Sequence, residues 1–267
     1  MFIEPMRTNF YLAFLLLITL GACRGIAPED QDVVVNTAPE FSVDLYQTFT
    51  PDSNVLGLWV ESFKIYPCEG HSLQYTLTRK GADIQLTLLE ISAPSPCVGA
   101  PAVAKTWIPF GKLSEGRYNL NIRLGQNGLI ENNGILQVNA DRCEMDIETQ
   151  RGIRLQERFL QRIPEGLVWG YIRAGGSETQ EQAFNIALKN ITDEPSMTPA
   201  YYGYFIWGAS GIANLHRSID PPGEESVFVR RLQSGKAAQL RELLENFRSN
   251  SGGNPLLIRC WTDKGEY

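Results

Sequence analysis

The chain is poor in residues that usually carry chemistry. Among its 267 residues there are two histidines, His71 and His216. No two cysteines stand at Cys-x2–4-Cys spacing, and Cys68-Glu-Gly-His71 is a lone half-motif, so nothing in the pattern calls for a metal. There is no Gly-x-Gly-x-x-Gly run and no Gly-Lys-Ser/Thr ending; Gly175-Gly176 reads as a strand-to-helix turn rather than an anion cradle. No cofactor is expected. Basic charge is also short: 24 Lys and Arg stand against 30 Asp and Glu, and the net charge of −6 is the wrong footprint for a nucleic-acid binder. It also disfavours peripheral attraction to anionic lipid. The apolar run Phe10–Leu20 is too short for a spanning helix, which needs roughly 20 residues.

That run is nevertheless the most informative stretch. It follows Arg7 and ends in small residues, the order of parts in a secretory signal. An ordinary cleavage site wants small residues at −3 and −1, and Leu20 is too large for −3. Leu20-Gly21-Ala22-Cys23 instead resembles the lipobox of bacterial lipoproteins. The resemblance implies that the Cys23 thiol receives a diacylglyceryl group, that the signal is cut just before it, and that the new amine is acylated, for instance with palmitate. Residues 1–22 are then a signal peptide, starting at Met1 or at Met6, and residues 23–39 a polar tether with little to bury. The membrane would be a partner through the acyl chains on Cys23. Arg24 lacks the Asp linked to inner-membrane retention, which points to the outer membrane.

Export permits disulfides. Four cysteines remain, and the pairing Cys68–Cys97 with Cys143–Cys260 keeps each bridge inside one expected domain.

Residues 40–139 read as an all-β sandwich. Leu73, Tyr75 and Leu77 alternate with Gln74, Thr76 and Thr78; Ile84, Leu86 and Leu88 alternate with Gln85 and Thr87; Tyr118, Leu120, Ile122 and Leu124 alternate with Asn119, Asn121 and Arg123. Such period-two patterns mark strands with one face buried. Phe41–Leu45 and Val55–Phe63 are further strand candidates. Leu113-Ser-Glu-Gly-Arg-Tyr118 resembles the tyrosine corner of Greek-key sandwiches, which implies an immunoglobulin- or fibronectin-like fold.

Residues 140–267 change texture. Strands are expected at Leu167–Ile172, Tyr201–Trp207, Ser226–Leu232 and Leu256–Trp261, and helices after Ser177 and after Ser234. Strand-helix-strand-strand-helix-strand is the ferredoxin-like βαββαβ order, an α+β domain. Leu155, Phe159 and Ile163 predict one more helix, ended by Pro164.

Candidate site residues are few. Tyr202, Tyr204 and Trp207 lie in the densest aromatic cluster, with His216 nearby, and an aromatic face there can stack on a sugar or anchor a protein. Ser210, His216 and Asp220 lie close in sequence, but Gly208-Ala209-Ser210-Gly211 misses the Gly-x-Ser-x-Gly elbow, and a polar loop is the better reading. Glu224-Glu225 point apart in a strand and make no acid/base pair. The expectation is a lipid-anchored envelope protein with a non-catalytic binding or scaffolding role toward an envelope protein or glycan. The alternatives are an envelope hydrolase with a site assembled in the second domain, and a protease-inhibitor-like module using a protruding segment such as Thr192–Pro199.

Overall fold

Alternation becomes pairing where the sequence says it should. The computed structural model describes residues 38–50, 53–125, 130–173, 178–219, 226–249 and 256–267, which fall in one contact-dense unit. Two sheets enclose the first core. The four-stranded sheet runs β5 (Ala102–Gly111), β2 (Ser53–Tyr66), β1 (Phe41–Thr50), β9 (Ile153–Leu155). The six-stranded sheet runs β10 (Phe159–Gln161), β8 (Arg142–Ile147), β7 (Ile130–Val138), β6 (Gly116–Leu124), β4 (Asp83–Ser92), β3 (Ser72–Lys80). Val43, Leu45, Leu58, Val60 and Ile108 from the first sheet meet Ile84, Leu86, Leu120, Ile122, Leu136 and Met145 from the second. Full burial of each such side chain contributes roughly 1.5–3 kcal/mol.

The corner at the start of β6 forms as expected: the Tyr118 hydroxyl donates to the Ser114 carbonyl at 3.0 Å. The detailed sandwich differs from the immunoglobulin arrangement, whose two sheets are antiparallel. Here β4 pairs with β6 in parallel, as β1 does with β9. The sandwich also extends past Asn139, because β8, β9 and β10 complete its sheets. The segment expected to be a helix ending at Ile163 holds β9 and β10 instead. Its four-residue spacing of Leu155, Phe159 and Ile163 loses to edge pairing with β1 and β8.

The expected ferredoxin-like arrangement of Leu167–Ile172, Tyr201–Trp207, Ser226–Leu232 and Leu256–Trp261 does not form among the described residues. A five-stranded sheet has the order β12 (Thr192–Asp193), β16 (Ser226–Leu232), β11 (Leu167–Arg173), β17 (Leu257–Thr262), β18 (Gly265–Glu266). β11 is antiparallel to both its neighbours, β16 and β17, and the strand expected after the first helix, Tyr201–Trp207, is not in this sheet. After helix α1 (Glu178–Lys189) the chain makes only the short β12, then leaves the sheet until β16. The aromatic strand expected to join it lies apart, in a three-stranded sheet of β13 (Ala200–Tyr201), β14 (Phe205–Trp207) and β15 (Ala213–Leu215).

The five-stranded sheet buries both faces. Val168, Ile172 and Ile258 pack on α1 and on α2 (Ala237–Ser249) through Phe184, Leu188, Leu240 and Leu244. Trp169, Val229 and Trp261 on the other face meet Tyr46, Phe49 and Tyr204. β17 crosses so close to β11 at Gly170 that a Cβ there would lie 2.1 Å from the Arg259 carbonyl oxygen, so glycine sets the spacing.

Cys68 and Cys97 form the expected disulfide. Cys143 and Cys260 do not pair: both are buried free thiols, Cys143 in the sandwich core and Cys260 under the helices. Each fills apolar space as a small hydrophobe, and burial raises the thiol pKa, to about 12 for Cys260. The residues up to 37, which include the expected signal peptide, most of the expected tether and Cys23, lie outside the described residues, as do Gly175-Gly176, Ser177, Asp220 and Glu224-Glu225.

Candidate functional site

The outward face of β1 carries Ser42, Asp44 and Tyr46, one residue out of phase with the core-facing Phe41, Val43 and Leu45. Asp44 is fully buried nonetheless, because the segment leading from β15 covers it. His216 Nε2 lies 3.3 Å from Asp44 Oδ2, and the Arg217 guanidinium pairs with the same oxygen. The backbone N–H of Glu157 donates to Asp44 Oδ1 at 3.2 Å. Arg217 Nε lies 3.4 Å from Glu61 Oε2, in ion-pair range though off the line of a hydrogen bond. Trp59 Nε1–H holds the other oxygen of Glu61 at 2.8 Å.

His216 is oriented from its other side. The Ser218 backbone N–H donates to Nδ1 at 3.2 Å, which makes Nδ1 an acceptor and assigns the proton to Nε2, facing Asp44. Ser218 Oγ also reaches Nδ1, at 2.9 Å. Hydroxyl, imidazole and carboxylate therefore stand in relay order, but not from the residues the sequence suggested. Ser210 sits in an exposed turn, and Asp220 lies outside the described residues. The carboxylate comes from Asp44, 172 positions away in the chain. Sequence distance hid it. The one available signal was a carboxylate among Val43, Leu45 and Tyr46 in a strand.

Tyrosines close the site. Tyr201 donates to the Leu45 carbonyl at 2.8 Å, and Tyr202 to the Thr198 carbonyl at 2.9 Å. The Tyr46 side chain stands beside Ser218 and Tyr204. Burial lifts the Tyr204 pKa to about 12 and pushes Tyr46 and Tyr201 up as well, so all three stay neutral donors. Glu157 is also raised, first by burial and then by the Asp44 charge. Of the residues expected to offer an aromatic binding surface, Tyr202, Tyr204 and His216 are interior and Trp207 is half-buried. Both faces of their segment turn inward, one onto β1 and β2 and the other onto the five-stranded sheet. His71 is likewise internal, its Nδ1–H donating to the Cys68 carbonyl at 3.0 Å and its ring stacked on Tyr66.

None of the four described clefts is lined by the Asp44–His216 cluster. The largest of them, about 500 Å³, lies on the outer face of the six-stranded sheet. Its floor is a ladder of polar side chains. Asn119 Nδ2 donates to Asp83 at 2.7 Å and Asn121 Nδ2 to Asn133 at 2.6 Å, while Arg123 pairs with Glu131 at 3.0 Å. The Asn121 side-chain oxygen Oδ1 is shielded and has no hydrogen-bond partner. A second cleft of about 450 Å³ lies between α2 and β18, lined by Arg241, Arg248, Glu245 and Tyr267 among others. Among the described residues no group of three or more His, Cys, Asp or Glu side chains is placed to hold a metal, and no helix is long and apolar enough to cross a membrane. Comparison with protein families, with curated proteins and with solved structures finds no match for this chain.

Proposed function

We propose that the chain is a lipid-anchored protein of the bacterial envelope, held in the outer membrane through Cys23, with a binding or scaffolding role. The anchor rests on Leu20-Gly21-Ala22-Cys23. The role rests on one observation: the largest described cleft is an open, amide-rich sheet face, with Gln85, Asn119, Asn121 and Asn133 beside Asp83 and Arg123. Fixed amides and paired charges recognise hydroxyl- and amide-rich polymers such as glycans or extended peptides. Glycan arrays and pull-down from envelope extract test this, with Asn121→Ala and Asn133→Ala as controls. Retention that both substitutions weaken supports the face; silence in both assays removes the binding role.

The Ser218–His216–Asp44 relay favours a second reading, an envelope hydrolase with Ser218 as nucleophile and His216 as base. Against it, Asp44 is already paired with a permanent cation, and no described cleft reaches the cluster. Ser218→Ala separates the two. Abolished turnover of ester, peptide or glycan substrates by an otherwise stable variant establishes the hydrolase. Unchanged behaviour makes the cluster an internal clasp. The protease-inhibitor analogy rested on the ferredoxin-like order, and no observation here favours it.

A further inference from the structure

Eight large apolar side chains stand exposed among the described residues, and three of them share one end of the sandwich. Phe63 is 44% exposed, Ile65 65% and Val98 66%. Phe63 and Ile65 lie on the last part of β2, past Ser62, where the pairing with β1 stops. Val98 lies in the loop that the Cys68–Cys97 disulfide ties to the residues after β2, with Gly99 backed onto the Glu69 side chain. The chain enters the folded body at this same end. Glu40 N–H donates to the Gly152 carbonyl at 2.7 Å, and Phe63 N–H donates to the Glu40 carbonyl at 2.9 Å. Cations frame the apolar groups. The Arg154 guanidinium sits 5.3 Å from the Phe63 ring and the Lys64 ammonium 5.1 Å from the Tyr66 ring, with Arg151 exposed nearby. Glu40 and Glu69 are exposed carboxylates beside these groups, and Glu90, Glu131 and Glu148 are exposed on the neighbouring strand ends.

We infer that this end is a membrane-contact face: Phe63, Ile65 and Val98 enter the interfacial layer of a phospholipid bilayer, while Lys64, Arg151 and Arg154 sit at headgroup level. The inference rests on the proposed anchor at Cys23. About 15 residues separate Cys23 from Ala38, so even a fully extended connection reaches only about 50 Å from the bilayer. Such a tether keeps the body beside the bilayer and favours contact through the face that receives it. Tethering raises its effective concentration there, and a weak patch becomes sufficient. Apolar side chains beside long cationic ones are the composition an interface accepts, with the stems in the apolar layer and the charges in water. A chain of net charge −6 gains little from the bilayer's surface potential as a whole, so the apolar trio supplies the contact and the local cations orient it. The five-stranded sheet lies toward the far end of β1, where Gly265 abuts the Phe49 carbonyl, and a ten-residue strand places it roughly 33 Å away.

The test uses the mature lipidated protein in vesicles of phosphatidylethanolamine and phosphatidylglycerol, a portion of them carrying brominated acyl chains. Phe63→Trp adds a reporter at the proposed face, and Ile186→Trp adds one on the exposed side of α1. Loss of most of the added emission at position 63, with position 186 unaffected, is the expected result. Equal quenching at both positions, or none at 63, overturns the face whether or not Cys23 carries its acyl chains. The mass of the N-terminal peptide, read in parallel, reports the anchor separately. Dimerisation in detergent that Phe63→Ser disperses would assign the patch to a second copy of the chain and overturn the bilayer contact.

Discussion

Asp44 is where the sandwich and the aromatic segment are fastened. Its carboxylate is removed from water and accepts from Arg217, His216 and the Glu157 backbone. Removing one partner of such a buried pair leaves the other charge uncompensated, at a cost of about 3–5 kcal/mol. Asp44→Ala is therefore expected to destabilise the protein by about 3–5 kcal/mol in chemical denaturation. Arg158→Ala removes only an exposed pair with Asp146 and is expected to cost under about 1 kcal/mol. Equal effects would show that the Asp44 cluster does not fasten the two parts. The site was only partly legible in the sequence. His216 stood out because histidine is scarce, and Ser218 lies two residues away. Asp44 did not, because nothing local connects a strand carboxylate to a loop 172 positions later.

Elements with their own periodicity were legible; elements defined by their neighbours were not. β3, β4 and β6 follow directly from alternation, and the tyrosine corner from Leu113, Gly116 and Tyr118. β9 and β10 have three residues each, too few to show a period, and exist only because β1 and β8 offer edges. The βαββαβ expectation counted elements correctly around β11, α1, β16, α2 and β17 but could not see that Tyr201–Trp207 packs elsewhere. Element order carries no information about which strand an aromatic segment prefers to cover. Cysteine pairing illustrates the same limit. Cys68 and Cys97 are joined across a loop with sequence separation 29, for which the loop-entropy account gives about 3–4 kcal/mol. Cys68→Ser should lower stability by about that amount. Cys143 and Cys260, buried and with raised pKa values, should resist a thiol reagent in the native protein and react together on unfolding. Rapid native labelling of either would contradict their placement.

The whole molecule should be sensitive to alkali. The Cys260 thiol is raised from 9.0 to about 12, and the Tyr204 hydroxyl from 10.0 to about 12. Between those limits the unfolded chain gives up protons that the folded one retains, so stability is full below about pH 9 and falls as pH rises toward 12. Thermal melts from pH 8 to 11 should show a declining midpoint, and a flat profile would mean these groups are not buried when folded.

At the same scale, we propose that the apolar and cationic end at the chain's point of entry meets a lipid surface. That arrangement has meaning only if the chain is anchored where the sequence indicates. Intact-mass and peptide analysis of protein purified from the membrane fraction tests this most directly. The account predicts a mature chain beginning at Cys23 with diacylglycerol on its sulfur. A chain that retains residues 1–22, or that carries an unmodified Cys23 thiol, would contradict it.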